Sequence, residues 1–110
     1  MKGLIALILT ISVTGEAACT ASWYGGQFHG RKTASGAVFN QHGLTAASNS
    51  HKMGTNLRVT NVANGKSVKV KVTDTGGFGK YGRCLDLSRG AFASIANLNS
   101  GVIRVTVAKE

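Results

Sequence analysis

The sequence predicts an all-β domain: a small barrel with one short helix inserted before its last strand. Three observations carry this reading. Ser67 to Thr73 alternates strictly, with Val68, Val70 and Val72 on one side and Lys69, Lys71 and Thr73 on the other. That is the period of a strand with one buried face. Asn64-Gly65 stands just before it, a dipeptide that tolerates the positive φ of a tight hairpin. Most of the remaining chain is short strand-like runs between glycine-rich loops, and one stretch, opening at Ser88, has helical spacing.

In chain order, Cys19 to Tyr24 reads as the first strand, ended by Gly25-Gly26. Phe28 to Gly36 is polar, small and glycine-rich, and so a loop. Ala37-Val38-Phe39 suits a short strand or a turn, and His42 to Ala47 leads into a second polar loop, Ser48 to Lys52. Leu57, Val59 and Asn61 share one face of the next strand, with Arg58 and Thr60 opposite. The Asn-Gly turn folds that strand back onto Ser67 to Thr73. Leu85-Asp86-Leu87 is another short strand. Ser88 has the side chain of a helix N-cap, because its hydroxyl can accept from an orphan N–H of the first turn. Ala91, Phe92, Ile95 and Leu98 keep helical spacing until Asn99-Ser100-Gly101. Val102 to Ala108 is the last strand, with Ile103, Val105 and Val107 on one face.

The chain of 110 residues suits one domain, preceded by a leader. Lys2, the uncharged run Leu4 to Val13 and the small residues from Thr14 to Ala18 follow the pattern of a secretory signal peptide. The apolar run is too short to span a bilayer. Residues 1–18 are therefore the expected leader and 19–110 the exported domain. Cys19 and Cys84 are the only cysteines. In an oxidising compartment such a pair is most simply a disulfide. The competing reading, a lipid anchor on Cys19, is opposed by Glu16, where an apolar residue would be expected. A net charge of +9 implies anionic surroundings such as cell wall, envelope or nucleic acid, or simply a solubilising surface.

Several chemistries lack their patterns. There is no phosphate loop, no dinucleotide fingerprint and no Ser-His-Asp or Cys-His order. His29, His42 and His51 have no zinc-site spacing, so neither metal nor cofactor is expected.

The chemistry concentrates between Val72 and Ser88. Asp74 ends the alternating strand and is followed by Gly76 and Gly77. Such a turn holds a carboxylate at a rim without burying an unpaired charge. There it can act as a general acid if a groove desolvates it, or it can simply bond its own turn. Asp86, inside Leu85-Asp86-Leu87, is expected either to be hydrogen-bonded within the barrel or to point into a cleft. Trp23, Tyr24, Phe28 and Phe39 cluster early in the chain, as stacking surfaces or as core.

Taken in order, Ala21-Ser-Trp-Tyr-Gly25, Gly30-Arg-Lys-Thr-Ala-Ser-Gly36, Leu44-Thr-Ala-Ala47, Gly54-Thr55, Val59-Thr-Asn61, Asn64-Gly65 and Gly82-Arg-Cys-Leu-Asp-Leu-Ser88 closely resemble the RlpA-like double-psi β-barrel domain. This is the catalytic module of the rare lipoprotein A family, related to expansins and barwin-like proteins. The resemblance implies a six-stranded double-psi barrel whose open groove holds a polysaccharide. It implies a lytic transglycosylase cutting peptidoglycan glycan strands to 1,6-anhydro products. The resemblance makes Asp74 the acid and base of the cleavage and Asp86 its structural or catalytic second, with Tyr24, Thr45, His51, Phe78 and Tyr81 as substrate contacts.

The chain departs from that family at several positions. Ala37 replaces a glutamate, Asn40 an aspartate, Ser48 a histidine, Thr75 an arginine and Gly77 a proline. These losses keep open an alternative: an expansin-like module that binds wall polysaccharide without cleaving it. A basic nucleic-acid binder is permitted by the charge, but the resemblance does not support it. The expectation is a secreted or periplasmic monomer acting on wall polysaccharide, with no nucleic-acid partner and no membrane span once the leader is removed.

Overall fold

A computed structural model describes residues 17–76 and 83–110. Its strands are β1 (Ala17–Tyr24), β2 (Thr45–Ala47), β3 (Asn56–Asn61), β4 (Ser67–Asp74), β5 (Arg83–Ser88) and β6 (Val102–Lys109), with one helix, α1 (Arg89–Ile95), before β6. The strands close into a barrel in the order β1-β5-β2-β4-β3-β6. This is the expected double-psi barrel. The β1/β5 and β2/β4 pairs are parallel, and the other pairs are antiparallel.

Alternation places the core. Val68, Val70 and Val72 are buried while Lys69 and Lys71 face solvent. Leu57 and Val59 of β3 and Val105 and Val107 of β6 complete that wall. On α1, Ala91, Phe92 and Ile95 pack onto the same cluster. Asn64-Gly65 makes the β3/β4 turn, with Gly65 at φ 77°.

Ser88 caps α1, its hydroxyl accepting from the Ala91 N–H at 3.2 Å. The same hydroxyl donates to the Gly43 carbonyl at 2.6 Å, so the cap also anchors the segment entering β2. The helix is shorter than its spacing suggests. It ends at Ile95, and Ala96 is extended at φ −158°. The side-chain amides of Asn61 and Asn64 both donate to the Ile95 carbonyl, at 2.8 and 3.0 Å, satisfying the end of the helix from outside. Leu98 sits instead in a 3-10 turn, Leu98–Ser100, where its carbonyl accepts the Trp23 indole N–H at 3.1 Å.

Cys19 and Cys84 are bridged, with Cα atoms 5.9 Å apart. Cys84 lies where the β1/β5 register slips, between the Thr20–Arg83 and Ala21–Leu85 pairs. Of the expected leader, residues 1–16 lie outside the described residues. Ala17 and Ala18 already pair with Val107 and Thr106, so the first strand begins ahead of Cys19. Among the described residues, no helix is long and apolar enough to cross a membrane.

Candidate functional site

The site is set by register. Ala47 of β2 pairs with Asp74 of β4 on one side and with Asp86 of β5 on the other. Adjacent strands lie about 4.8 Å apart, so the two aspartates leave the barrel about 10 Å apart at the backbone, with only a methyl group between them. A bulge in β4 at Thr73, opposite the step from Ala46 to Ala47, creates this alignment. Above Ala47 opens a hollow of about 320 Å³, lined also by Tyr24, Phe28, Asp74, Thr75, Gly76, Arg83 and Asp86. That volume is within the range of small-ligand sites.

The two carboxyls are held differently. Asp74 Oδ1 accepts from the N–H groups of Ala34 at 3.0 Å and Thr75 at 2.9 Å. Asp74 therefore bonds its own turn and also lines the hollow. Asp86 Oδ1 accepts from the Ser22 hydroxyl at 2.9 Å. That hydroxyl in turn accepts from Arg83 at 2.9 Å, and Ser22 is the direct β1 partner of Asp86. Burial pushes the Asp86 carboxyl above its ordinary range, against the smaller opposing pull of the Ser22 hydrogen bond and the Arg83 charge.

Tyr24 forms one wall. Its ring stacks on buried Phe39, centroids 4.5 Å apart and planes 13° from parallel, and meets Phe28 edge-on at 5.8 Å. Its hydroxyl is buried without a hydrogen bond of normal geometry. Burial, followed by the charges of Asp74 and Asp86, pushes its pKa far up. It stays protonated, a donor beside two carboxyls.

The other expected contacts are placed elsewhere. Thr45 has a buried hydroxyl and lines neither this hollow nor the one beside it. Only its backbone N–H reaches a side chain, the Ser88 hydroxyl. The His51 ring turns back on its own loop, with Nδ1 3.5 Å from the Ser48 hydroxyl and 3.4 Å from that of Ser50. Phe78 and Tyr81 lie outside the described residues, as does Gly77. Arg83 was not expected in the lining; Phe28, one of the early aromatics read as stacking surface or core, lines it too. In an unbroken strand Arg83 and Asp86 face opposite ways; the register slip at Cys84 breaks that alternation.

Of the departures from the resembled pattern, Ser48 and Thr75 touch Asp74 directly. Ser48 is buried, and its N–H donates to the Asp74 carbonyl at 2.9 Å. Ala37 lies on the exposed loop whose Ala34 N–H reaches Asp74. Asn40 uses its Oδ1 to accept from the His42 N–H at 3.0 Å. Among the described residues, no three His, Cys, Asp or Glu side chains are grouped as a metal would need.

Comparison with known proteins points one way. The lytic transglycolase family profile matches residues 16–107. A protein of Synechocystis named probable endolytic peptidoglycan transglycosylase RlpA is 51% identical over 87 residues, covering 79% of this chain and 27% of its own length. One of the same name from Aquifex aeolicus is 53% identical over 83 residues, covering 76% and 36%. The chain thus spans about a third of the length of such relatives. Among solved structures, a mutant of Clavibacter michiganensis expansin in complex with cellohexaose superposes with a TM-score of 0.68 at 22% identity, covering 86% of this chain and 50% of that one. That likeness carries the fold alone. By the extent of the family match and the identity to these relatives, the chain belongs to the lytic transglycolase family.

Proposed function

We propose that the groove binds peptidoglycan glycan strands and cleaves them as a lytic transglycosylase, with Asp86 as the proton donor. One observation carries this: the β2 register that sets Asp74 and Asp86 on either side of Ala47 in a single open hollow. Asp86 suits the acid better than Asp74 does. Burial favours its protonated form, whereas Asp74 spends Oδ1 on two backbone N–H groups. Asp86 would protonate the glycosidic oxygen and leave as a carboxylate. It would then take the proton of the sugar's own 6-hydroxyl as that oxygen closes on the anomeric carbon. No attacking water is needed, so one acid–base residue suffices. Asp74 would face the positive charge developing on the ring. Arg83 acts through Ser22 to hold Asp86 in place.

The bridge between β1 and β5 supports an extracytoplasmic site of action, reached by way of the leader at residues 1–18. A second reading is favoured by Ala37 and Ser48, which leave out two polar groups of the resembled site. On that reading the groove binds wall polysaccharide without cutting it.

The test uses glycan strands stripped of peptide, with products read by mass spectrometry. Wild type is expected to release anhydro-ended fragments. Asp86→Asn should lower the rate by about 10²–10⁴-fold, the usual contribution of a general acid, with strand binding kept. Activity should fall on the alkaline side, as pH rises through the raised Asp86 pKa. A folded wild type that binds strands but releases no anhydro ends would establish the binding reading.

A further inference from the structure

A second hollow, of about 480 Å³, adjoins the first and shares Tyr24 and Phe28 with it. Trp23, Gln27, Gln41 and Arg89 complete its polar and aromatic lining, around Gly25 and Gly26. We infer that this hollow is a saccharide subsite in which Arg89 binds a free carboxylate on the sugar next to the one over Asp74 and Asp86. This inference rests on reading the groove as a polysaccharide site.

The hollow is built rather than incidental. Trp23 is a fixed wall, its indole N–H bonded to the Leu98 carbonyl and its ring 6.4 Å from that of Phe92. Gln41 is fixed too: its Oε1 accepts from the Gly26 N–H at 2.8 Å, which leaves its NH₂ group as a donor to a ligand. Gly25 leaves room for the Gln41 amide in its present place. A Cβ there would lie 2.7 Å from Gln41 Oε1 and 3.4 Å from Arg89 Cβ, so any side chain would crowd the two polar groups.

Charge selects the occupant. The acidic side chains of the neighbouring hollow, Asp74 and Asp86, are engaged with Ala34, Thr75 and Ser22. The ion pairs among the described residues join Arg58 and Lys69 to Glu110, far from here in the fold. Arg89 makes no ion pair with any of them. A guanidinium left for solvent beside a sugar-sized hollow, with aromatic faces and an amide donor, matches a ring that carries a carboxylate. In a peptidoglycan strand that unit is a muramic residue whose lactyl carboxylate bears no peptide.

The test measures binding by calorimetry to two forms of one ligand: peptide-free glycan strands, and the same strands with their carboxylates converted to methylamides. Wild type is expected to bind the acid form about tenfold more tightly. Arg89→Gln should bind both forms alike, at the wild-type affinity for the amide form. Lys71→Gln removes the same unit of charge from an outward face of β4 and should keep the tenfold preference. Equal binding of both forms by wild type, a preference retained in Arg89→Gln, or the same loss in Lys71→Gln would each overturn the inference. Thermal melting checks that the variants are folded. No binding of either form by folded wild type would overturn the polysaccharide reading, and this inference with it.

Discussion

The floor of the groove and its rim are built by different means. Ser22, Ala47 and Asp86 sit on β1, β2 and β5 with paired strands on both sides, and Asp74 ends β4 paired with Ala47. The rim, residues 25–44, is a long loop with little regular structure. It is held by a bridge between Lys32 and Val38, by paired bonds between Gly30, Phe39 and Arg31, and by the His29 ring accepting the Gln41 N–H at 3.1 Å. It is tied to the rest of the fold at separate points: Ala34 on Asp74, Ser35 on Thr73, Gln41 on Gly90 of α1, Gly43 on Ser88 and Leu44 on Lys71. The groups that would move protons are placed by the sheet. The groups that would choose among sugars come partly from this loop, as Gln41 does, and partly from its neighbours, Trp23 at the end of β1 and Arg89 at the start of α1. The rim can therefore vary in sequence without displacing a carboxyl.

The largest expected effect tests the floor. Removing the bridge with Cys19→Ser and Cys84→Ser frees a loop with a sequence separation of 65. The entropic model assigns a loop of that length about 4 kcal/mol, read as a fall in the free energy of urea unfolding. If the ladder places Ser22 beside Asp86, strand binding should survive in the folded population. Binding lost at temperatures where the variant is still folded would show that the bridge, not the ladder, positions Asp86.

A smaller effect tests the attachment of the rim. A Cβ on Gly90 would lie 2.7 Å from the His42 carbonyl oxygen and 2.9 Å from its carbon. Both are backbone atoms and cannot turn aside. Gly90→Ala should push the rim off α1 and cost about 1–3 kcal/mol, the usual range for overpacking. Affinity for strands should fall, while the alkaline limb of the pH–rate profile stays where it was, since Asp86 belongs to the floor. A shift of that limb would show that the two regions move together.

The same division governs what the sequence discloses. The β3, β4 and β6 strands were legible because each has one buried face, so alternation reports it directly. Ser88 was legible because capping is local chemistry. Asp74 and Asp86 could be singled out as carboxyls at a strand end and inside an apolar triplet. Their meeting across Ala47 could not, because it depends on a bulge in β4 at Thr73 and on pairing between strands distant in sequence. Arg83 was hidden by the slip at Cys84. The end of α1 was misjudged because Asn61 and Asn64, from another part of the chain, take the Ile95 carbonyl. Thr45 was expected in the groove by its place in Leu44-Thr-Ala-Ala47, and His51 by lying three residues beyond Ser48; the Thr45 hydroxyl is buried and the His51 ring lies against Ser48 and Ser50.

The smallest effect separates the electrostatics of the floor from its geometry. Burial raises the Asp86 pKa above its ordinary value of 3.8, so the folded protein holds that proton more tightly than the unfolded chain does. Stability from this group is fully present below pH 3.8 and is lost as pH rises through the higher folded value. At neutral pH a buried carboxylate therefore opposes folding. Asp86→Asn keeps an oxygen for the Ser22 hydroxyl and removes the charge. It should raise stability at pH 7 and lose that advantage as pH falls toward 3.8. Urea unfolding of both proteins across pH reads the difference. A variant less stable at pH 7 by the same amount at every pH would mean that the hydrogen bonds of the carboxylate to Ser22, backed by Arg83, outweigh its desolvation. Asp86 would then be a structural anchor, and the proton donor would have to be sought at Asp74.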